Sequence, residues 1–265
     1  MLTRSPFPAM PNAAWAWEGL RRNNTYRSDW RAACERAPKA ETLTTGARLL
    51  RQDGPAPHPE EWGLLCFADP DKSAVDADVF WRPDLLAGAL QVSLSPVSDE
   101  GFADEGEIVL SRLQTRRTLL MVGDDLLHIR LAGRRFWIQL FAKTPRPLNE
   151  HTRVGIRIDG ARYARRRLDT ATQLLSLHRA QGGKLSLIGR RRNTEPLANA
   201  LTAFDIYASG GGLRDIAITL YGEDRVSEAW TGPRNYLKDR ARRARNKGRA
   251  FVDGGYRDLL AQRAL

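Results

Sequence analysis

Between residues 116 and 160 the chain carries four short β-prone runs, "RRTLLMV", "LLHIRLAG", "RRFWIQLFA" and "RVGIRIDG". The first two are separated by Gly123-Asp124-Asp125 and the last follows a break at Pro145 to Pro147, so the first three predict a meander with tight turns. Within "LLHIRLAG", Leu127, Ile129 and Leu131 share one face and His128 and Arg130 the other, the alternation of a strand buried on one side only. That reading puts His128 at the surface rather than at a metal. Past residue 160 the period lengthens to three or four. "YARRRLDTATQLLSLHRA", "NTEPLANALTAFDIYA", "GLRDIAITLYG" and "GPRNYLKDRARRARNKG" predict helices able to cover the sheet.

Ahead of the meander the pattern is shorter in range. Trp17, Leu20, Trp30 and Ala33 recur at helical spacing, with Asn23 and Asn24 as a break between two short helices. "WGLLCF" and "DVFW" read as brief β-prone runs, and Arg82-Pro83 as the opening of a further helix. Residues 95–107, "SPVSDEGFADEGE", are polar, acidic and contain glycine, which marks a boundary. The expected architecture is α+β: a small mixed N-terminal domain over 1–94, a linker over 95–107, and over 108–265 a β-meander packed with a helical bundle containing a helix-turn-helix variant.

The helix-turn-helix reading comes from "SGGGLRDIAITLYGEDRVSEAWTGPRNYLKDRARRARNKG". Its glycines end one helix, Leu213, Ile216, Ala217 and Leu220 form the stripe of the next, and Gly222 closes it. Two helices that cross closely need small residues at the contact, and Ala217 supplies one. "EDRVSEAW" holds three acids and one arginine, so it is unsuited to face phosphate. In the following segment Pro233 suits a first helical position, and Leu237, Ala241 and Ala244 lie in one narrow stripe.

Charge sharpens the picture. The chain is +11 overall, yet residues 1–110 hold 11 basic against 17 acidic groups, and residues 111–265 hold 31 against 14. A single-sign field of that size attracts polyanions. No stretch approaches the roughly 20 apolar residues of a spanning helix, and the basic segment lacks a wide apolar face for a bilayer. The N-terminal residues lack an apolar signal core, and Cys34 and Cys66 are too few for a disulfide framework, so the expected location is the cytoplasm.

Opposite the Leu237 stripe, at 100° per residue, fall Asn235, Arg242, Arg243 and Asn246, flanked by Lys238 and Arg249. Arginine can take guanine edges bidentately and asparagine adenine, while surplus cations neutralise phosphates. The expected DNA-binding set is Arg234, Asn235, Lys238, Arg242, Arg243, Arg245, Asn246, Lys247 and Arg249, with Arg214 on the preceding helix. Arg165 to Arg167 and Arg190 to Arg192 could hold backbone phosphates or form ordinary surface. The remaining chemistry is sparse. "SGGGL" lacks the GK[ST] of a P-loop and reads as a helix C-cap, the histidines are dispersed, and no GxSxG occurs. The pairs Asp69 with Asp71 and Asp76 with Asp78 read as solvated. The tryptophans of the first half read chiefly as core, with an exposed subset fitting a protein partner. No catalytic residues, cofactor or metal are expected.

"AWEGLRRNNTYRSDW" with "WGLLCFADPDKSAVDADVFWRPDLL" resembles the N-terminal transcriptional-regulator domain of proteobacterial conjugative-element proteins. "IAITLYG", "EAW" and "LKDRARRARNKGRAFVDGGYRDLL" resemble the RovC-like DNA-binding domain. The resemblance implies a sequence-specific transcriptional activator of conjugative-element excision and transfer or of type VI secretion genes. It implies Arg234, Lys238, Arg242 and Arg243 as DNA-facing residues and Tyr256 to Leu260 as a structural clasp. Some relatives that have only the C-terminal domain act as antiactivators by binding the activator protein, so a protein-binding regulatory module is the alternative. The expected partners are double-stranded DNA, RNA polymerase or an antiactivator protein, and a second copy of the chain, since two-fold operators favour homo-oligomers.

Overall fold

The computed structural model describes residues 10–36, 38–52, 58–97, 106–133, 135–143, 151–180, 194–230 and 236–262. Its centre is a mixed seven-stranded sheet built from β1 (Lys39–Thr42), β2 (Arg48–Gln52), β3 (Leu90–Pro96), β4 (Arg116–Val122), β5 (Leu126–Gly133), β6 (Phe136–Lys143) and β7 (Thr152–Arg157). The spatial order is β1-β2-β4-β5-β6-β3-β7. The expected meander is present as β4, β5 and β6, paired antiparallel in register Leu119 with Ile129 and Ile129 with Leu140. β7 does not join β6; β3 inserts between them, parallel to β6 and antiparallel to β7. On the other edge β2 runs parallel to β4. The boundary expected at 95–107 therefore begins at the end of β3, and strands from both sides of it share one sheet.

One face of the sheet carries Leu49, Leu90, Val92, Leu119, Leu127, Ile129, Leu131, Ile138 and Leu140. Helix α3 (Ala164–Ala180) covers it with Ala171, Leu174 and Leu177, as a lid with three-to-four spacing should. The opposite face was expected to meet water, and it does not. His128 is 3% exposed and Arg130 0%, because the N-terminal half folds over that side. Leu50, Cys66, Phe80 and Leu120 close one part of it, and the Gln139 carboxamide bonds both the N–H and the carbonyl of Trp81. Alternation had suggested solvent where the true neighbour is a loop of the N-terminal half, whose Asp78 and Trp81 bond Arg130 and Gln139 while His128 keeps no hydrogen bond.

That loop supplies the second correction. Asp78 is not solvated; it pairs with Arg48 at 3.0 Å, Arg116 at 3.3 Å and Arg130 at 3.3 Å. Arg130 also lies 5.0 Å over the Trp137 ring. Around it, "WGLLCF" and "DVFW" form only an isolated bridge between Leu64 and Trp81, and Arg82-Pro83 opens a single turn. With so many side chains of this segment anchored individually, extended pairing is unnecessary.

Helices α1 (Asn12–Leu20) and α2 (Asn24–Ala33) meet at Asn23, whose side chain caps α2 by accepting from the Tyr26 N–H at 3.0 Å. Trp15, Trp17 and Trp81 are fully buried there, while Trp30 and Trp62 are partly buried. Among the described residues from 194 onward the chain forms α4 (Glu195–Ala208), α5 (Leu213–Tyr221), α6 (Glu223–Ala229), α7 (Tyr236–Ala250) and α8 (Tyr256–Leu260). As expected, "SGGGL" ends α4, with Gly211 N–H bonding the Ile206 carbonyl at 2.9 Å.

Candidate nucleic-acid interface

Helices α4 to α7 enclose a small core of Ala203, Ile216, Ala217, Val226, Leu237 and Ala241. "EDRVSEAW", expected only to avoid phosphate, forms α6; its Val226 is buried and Glu223 and Asp224 occupy its first turn, where carboxylates suit the helix dipole. Gly222, at φ +90°, makes the bend from α5 into α6 that an L side chain would resist. Asp215 accepts from the Gly212 N–H at 2.7 Å and secures the start of α5.

α7 is two-sided. Its inner stripe, Leu237, Ala241 and Gly248, is buried, with Ala244 partly so. Gly248 is required by contact: a Cβ there would meet the Ala200 carbonyl oxygen of α4 at 2.1 Å. The small stripe lets α7 lie directly on α4. Its outer side exposes Lys238, Arg240, Arg242, Arg243, Asn246, Lys247 and Arg249, with Arg245 partly exposed. Arg242 pairs with Asp239 at 3.1 Å and Arg249 with Asp253 at 3.5 Å, all with side chains at least half exposed. Pairs of that kind contribute about 0–1 kcal/mol, so phosphate can displace them.

The structure brings Lys238, Arg242, Arg243, Arg245, Asn246, Lys247 and Arg249 onto one helix. Arg214 is exposed on the first turn of α5, a separate element. Arg234 and Asn235 lie outside the described residues, as do Arg190 to Arg192. Arg166 instead pairs with Asp169 at 3.6 Å, and Arg167 donates to the Asp159 carbonyl at 3.0 Å.

Arg240 was missed. Its guanidinium lies 4.8 Å over Tyr221 of α5, and Arg245 lies 5.0 Å over Tyr207 of α4, so each flank of α7 holds an arginine against an aromatic ring. Arg240 sits in the same basic run as the others, which was a usable signal; its ring partner follows only from the fold.

Beyond α7 the chain kinks, with Gly254 at φ +142°, and α8 enters the N-terminal core. Tyr256, Leu259 and Leu260 are buried there. The Tyr256 hydroxyl donates to the Trp62 carbonyl at 3.1 Å, Asn23 Nδ2 to the Val252 carbonyl at 3.2 Å, and Asn12 Nδ2 to the Leu259 carbonyl at 3.3 Å. Arg22 adds a bidentate pair to Asp205 of α4, at 2.8 and 3.0 Å, while also bonding Glu18 at 2.8 Å. Burial raises the Glu18 carboxyl, but Arg21, Arg22 and the Ala74 N–H outweigh it and hold the group below its ordinary range. Among the described residues no helix is long and apolar enough to cross a membrane, and no group of three or more His, Cys, Asp or Glu side chains gathers where a metal could sit.

The chain thus presents a basic helix on a small helical core, and the family models it matches are those of DNA-binding transcriptional regulators. The family model described as "T6SS, Transcription factor, DNA binding domain" matches residues 124–261, half of the chain, so the protein belongs to the RovC DNA-binding domain family. A second model, a proteobacterial transcriptional regulator-like domain, matches residues 3–66. No curated protein matches the chain.

Proposed function

We propose that α7 is the duplex-reading helix of this regulator and that α5, α6 and α7 act as a helix-turn-helix variant. The observation that carries the reading is the division of α7 into a buried stripe of small residues and an outer face of exposed cations. An α-helix of this kind fits the major groove, where Arg242 and Arg243 take base edges and Lys238, Lys247 and Arg249 neutralise phosphates. Arg240 and Arg245, held over their rings, flank the groove. Arg234, Asn235 and Arg214 complete the proposed contact set. The resemblance of the N-terminal and C-terminal segments supports an activator of conjugative-element transfer or type VI secretion genes, acting as a homo-oligomer on a two-fold operator and meeting RNA polymerase or an antiactivator protein through other surfaces. It acts by binding, without catalysis.

The test is the double variant Arg242→Ala/Arg243→Ala, assayed on the DNA upstream of neighbouring genes. Each lost base contact removes about 1–3 kcal/mol of discrimination, so specific binding falls by roughly a hundredfold or more while the fold is retained. Undiminished binding by the folded variant would refute the assignment of α7 and favour the protein-binding alternative.

A further inference from the structure

We infer that the corner between α1 and α2 sets the position of the duplex-reading helix, and that Arg22 and Asp205 are the pair through which it does so. Arg22 and Asn23 fall in the segment matched as a regulator-like domain, residues 3–66, whereas α4 and α7 fall in the segment matched as the DNA-binding domain, residues 124–261. The two segments nevertheless share packed surfaces. α4 gives Leu197, Ala198 and Leu201 to the cluster that holds Trp15, Trp17 and Trp81, and Ala203 to the small core beneath α7. α4 is therefore the seat of α7, and its other side belongs to the N-terminal core.

Two neighbouring residues at the corner grip both helices. Arg22 engages all three guanidinium nitrogens: Nε and Nη2 donate to the Asp205 carboxylate at 2.8 and 3.0 Å, and Nη1 to the Glu18 carbonyl at 2.6 Å and carboxylate at 2.8 Å. With its donors taken by carboxylates and its side chain 13% exposed, Arg22 is a structural cation rather than one offered to phosphate. Asp205 stands two residues before Tyr207, the ring under Arg245 of α7. It also follows Phe204, which Gly248 of α7 approaches so closely that a Cβ on Gly248 would lie 3.0 Å from the Phe204 Cβ. Asn23 holds the far end, donating to the Val252 carbonyl at 3.2 Å just past α7. Beside it Phe251 packs on Gly19, where a Cβ would meet the ring at 2.7 Å. A binding element must be held within about 0.5 Å of its productive place by side chains that lock it from behind. Arg22 and Asp205 are positioning residues in that sense, without contact to DNA.

The inference rests on the assignment of α7, and the sign of a charge effect tests it. Asp205 is 45% exposed, so Asp205→Ala should leave the fold intact, which urea unfolding checks. By charge alone, removing an acid strengthens attraction to a polyanion. A positioning role predicts the opposite: affinity of the full chain for the DNA upstream of neighbouring genes should fall about fivefold or more, while affinity for an unrelated duplex of equal length holds or rises. Asp205→Glu, which keeps the carboxylate, should bind the upstream DNA more tightly than Asp205→Ala. Arg22→Met should weaken that binding too, and Arg22→Met/Asp205→Ala should lose no more than the worse single variant, since both act through one pair. Upstream binding by folded Asp205→Ala at or above the wild-type level, an equal loss on the unrelated duplex, or additive losses in the double variant would overturn the inference. In those cases a loss of binding in Arg242→Ala/Arg243→Ala would leave the assignment of α7 standing; undiminished binding by that variant would take both down.

Discussion

β5 and α7 both carry arginines opposite an apolar stripe, yet Arg130 is fully buried and the arginines of α7 meet solvent. The difference lies in what else packs near each element. β5 sits mid-sheet, with α3 on one face and the N-terminal segment on the other, so its polar residues are enclosed by protein and Arg130 pairs with Asp78. α7 packs through its small inner residues, and its outer face remains open. Positive charge in a sequence thus has two meanings, a structural cation paired inside or a surface cation kept for a partner. Periodicity alone does not separate them.

The sharpest break of this comparison is Asp78→Ala. It leaves the buried Arg130 without its carboxylate and should cost about 3–5 kcal/mol, read as a lower urea midpoint with unchanged slope. Replacing the cation instead, by Arg130→Met, should be nearly neutral, because an apolar side chain of similar length suits the same space. Equal losses from the two variants would contradict the picture of a paired structural cation.

A smaller effect comes from His128, stacked 6.3 Å from Phe141, with neither ring nitrogen hydrogen-bonded. Burial lowers its pKa to about 4, below the ordinary value near 6.5. The unfolded chain therefore takes up the proton first as pH falls. Stability should drop by about 2 kcal/mol between pH 7 and pH 5, and continue to fall toward pH 4. Glu18, held low, stays ionised over the upper part of that window. His128→Phe should flatten the profile in urea unfolding at the two pH values; a slope that persists in this variant would assign the acid sensitivity elsewhere. Smallest of all, alanine at Arg242 and Arg243 should change stability by no more than about 0.5 kcal/mol, since both residues are exposed and the Arg242–Asp239 pair lies at the surface.

Much of this was legible in the chain. β4 and β5 coincide with "RRTLLMV" and "LLHIRLAG", the long helices lie where the three-to-four spacing placed them, and the stripe of α7 reads directly from Leu237 and Ala241. What stayed hidden depends on distant pairing. β2 has only five residues, and the neighbours of β2 and β3, β4 and β6, lie far along the chain. Asp78 looked solvated because its arginines come from three separate strands. α6 is too short to show a period, and the ring contacts of Arg240 and Arg245 arise only when α4 and α5 fold against α7.

The central claim is that the outer face of α7 meets the phosphates and base edges of a duplex, and the dependence of promoter affinity on salt tests it most directly. Each neutralised phosphate contributes a slope of about −0.9 in log affinity against log salt, so the wild-type chain should show a steep line, and Lys247→Ala should reduce it by about one unit with little change in sequence preference. A shallow line that Lys247→Ala and Arg249→Ala leave unaltered would contradict the account.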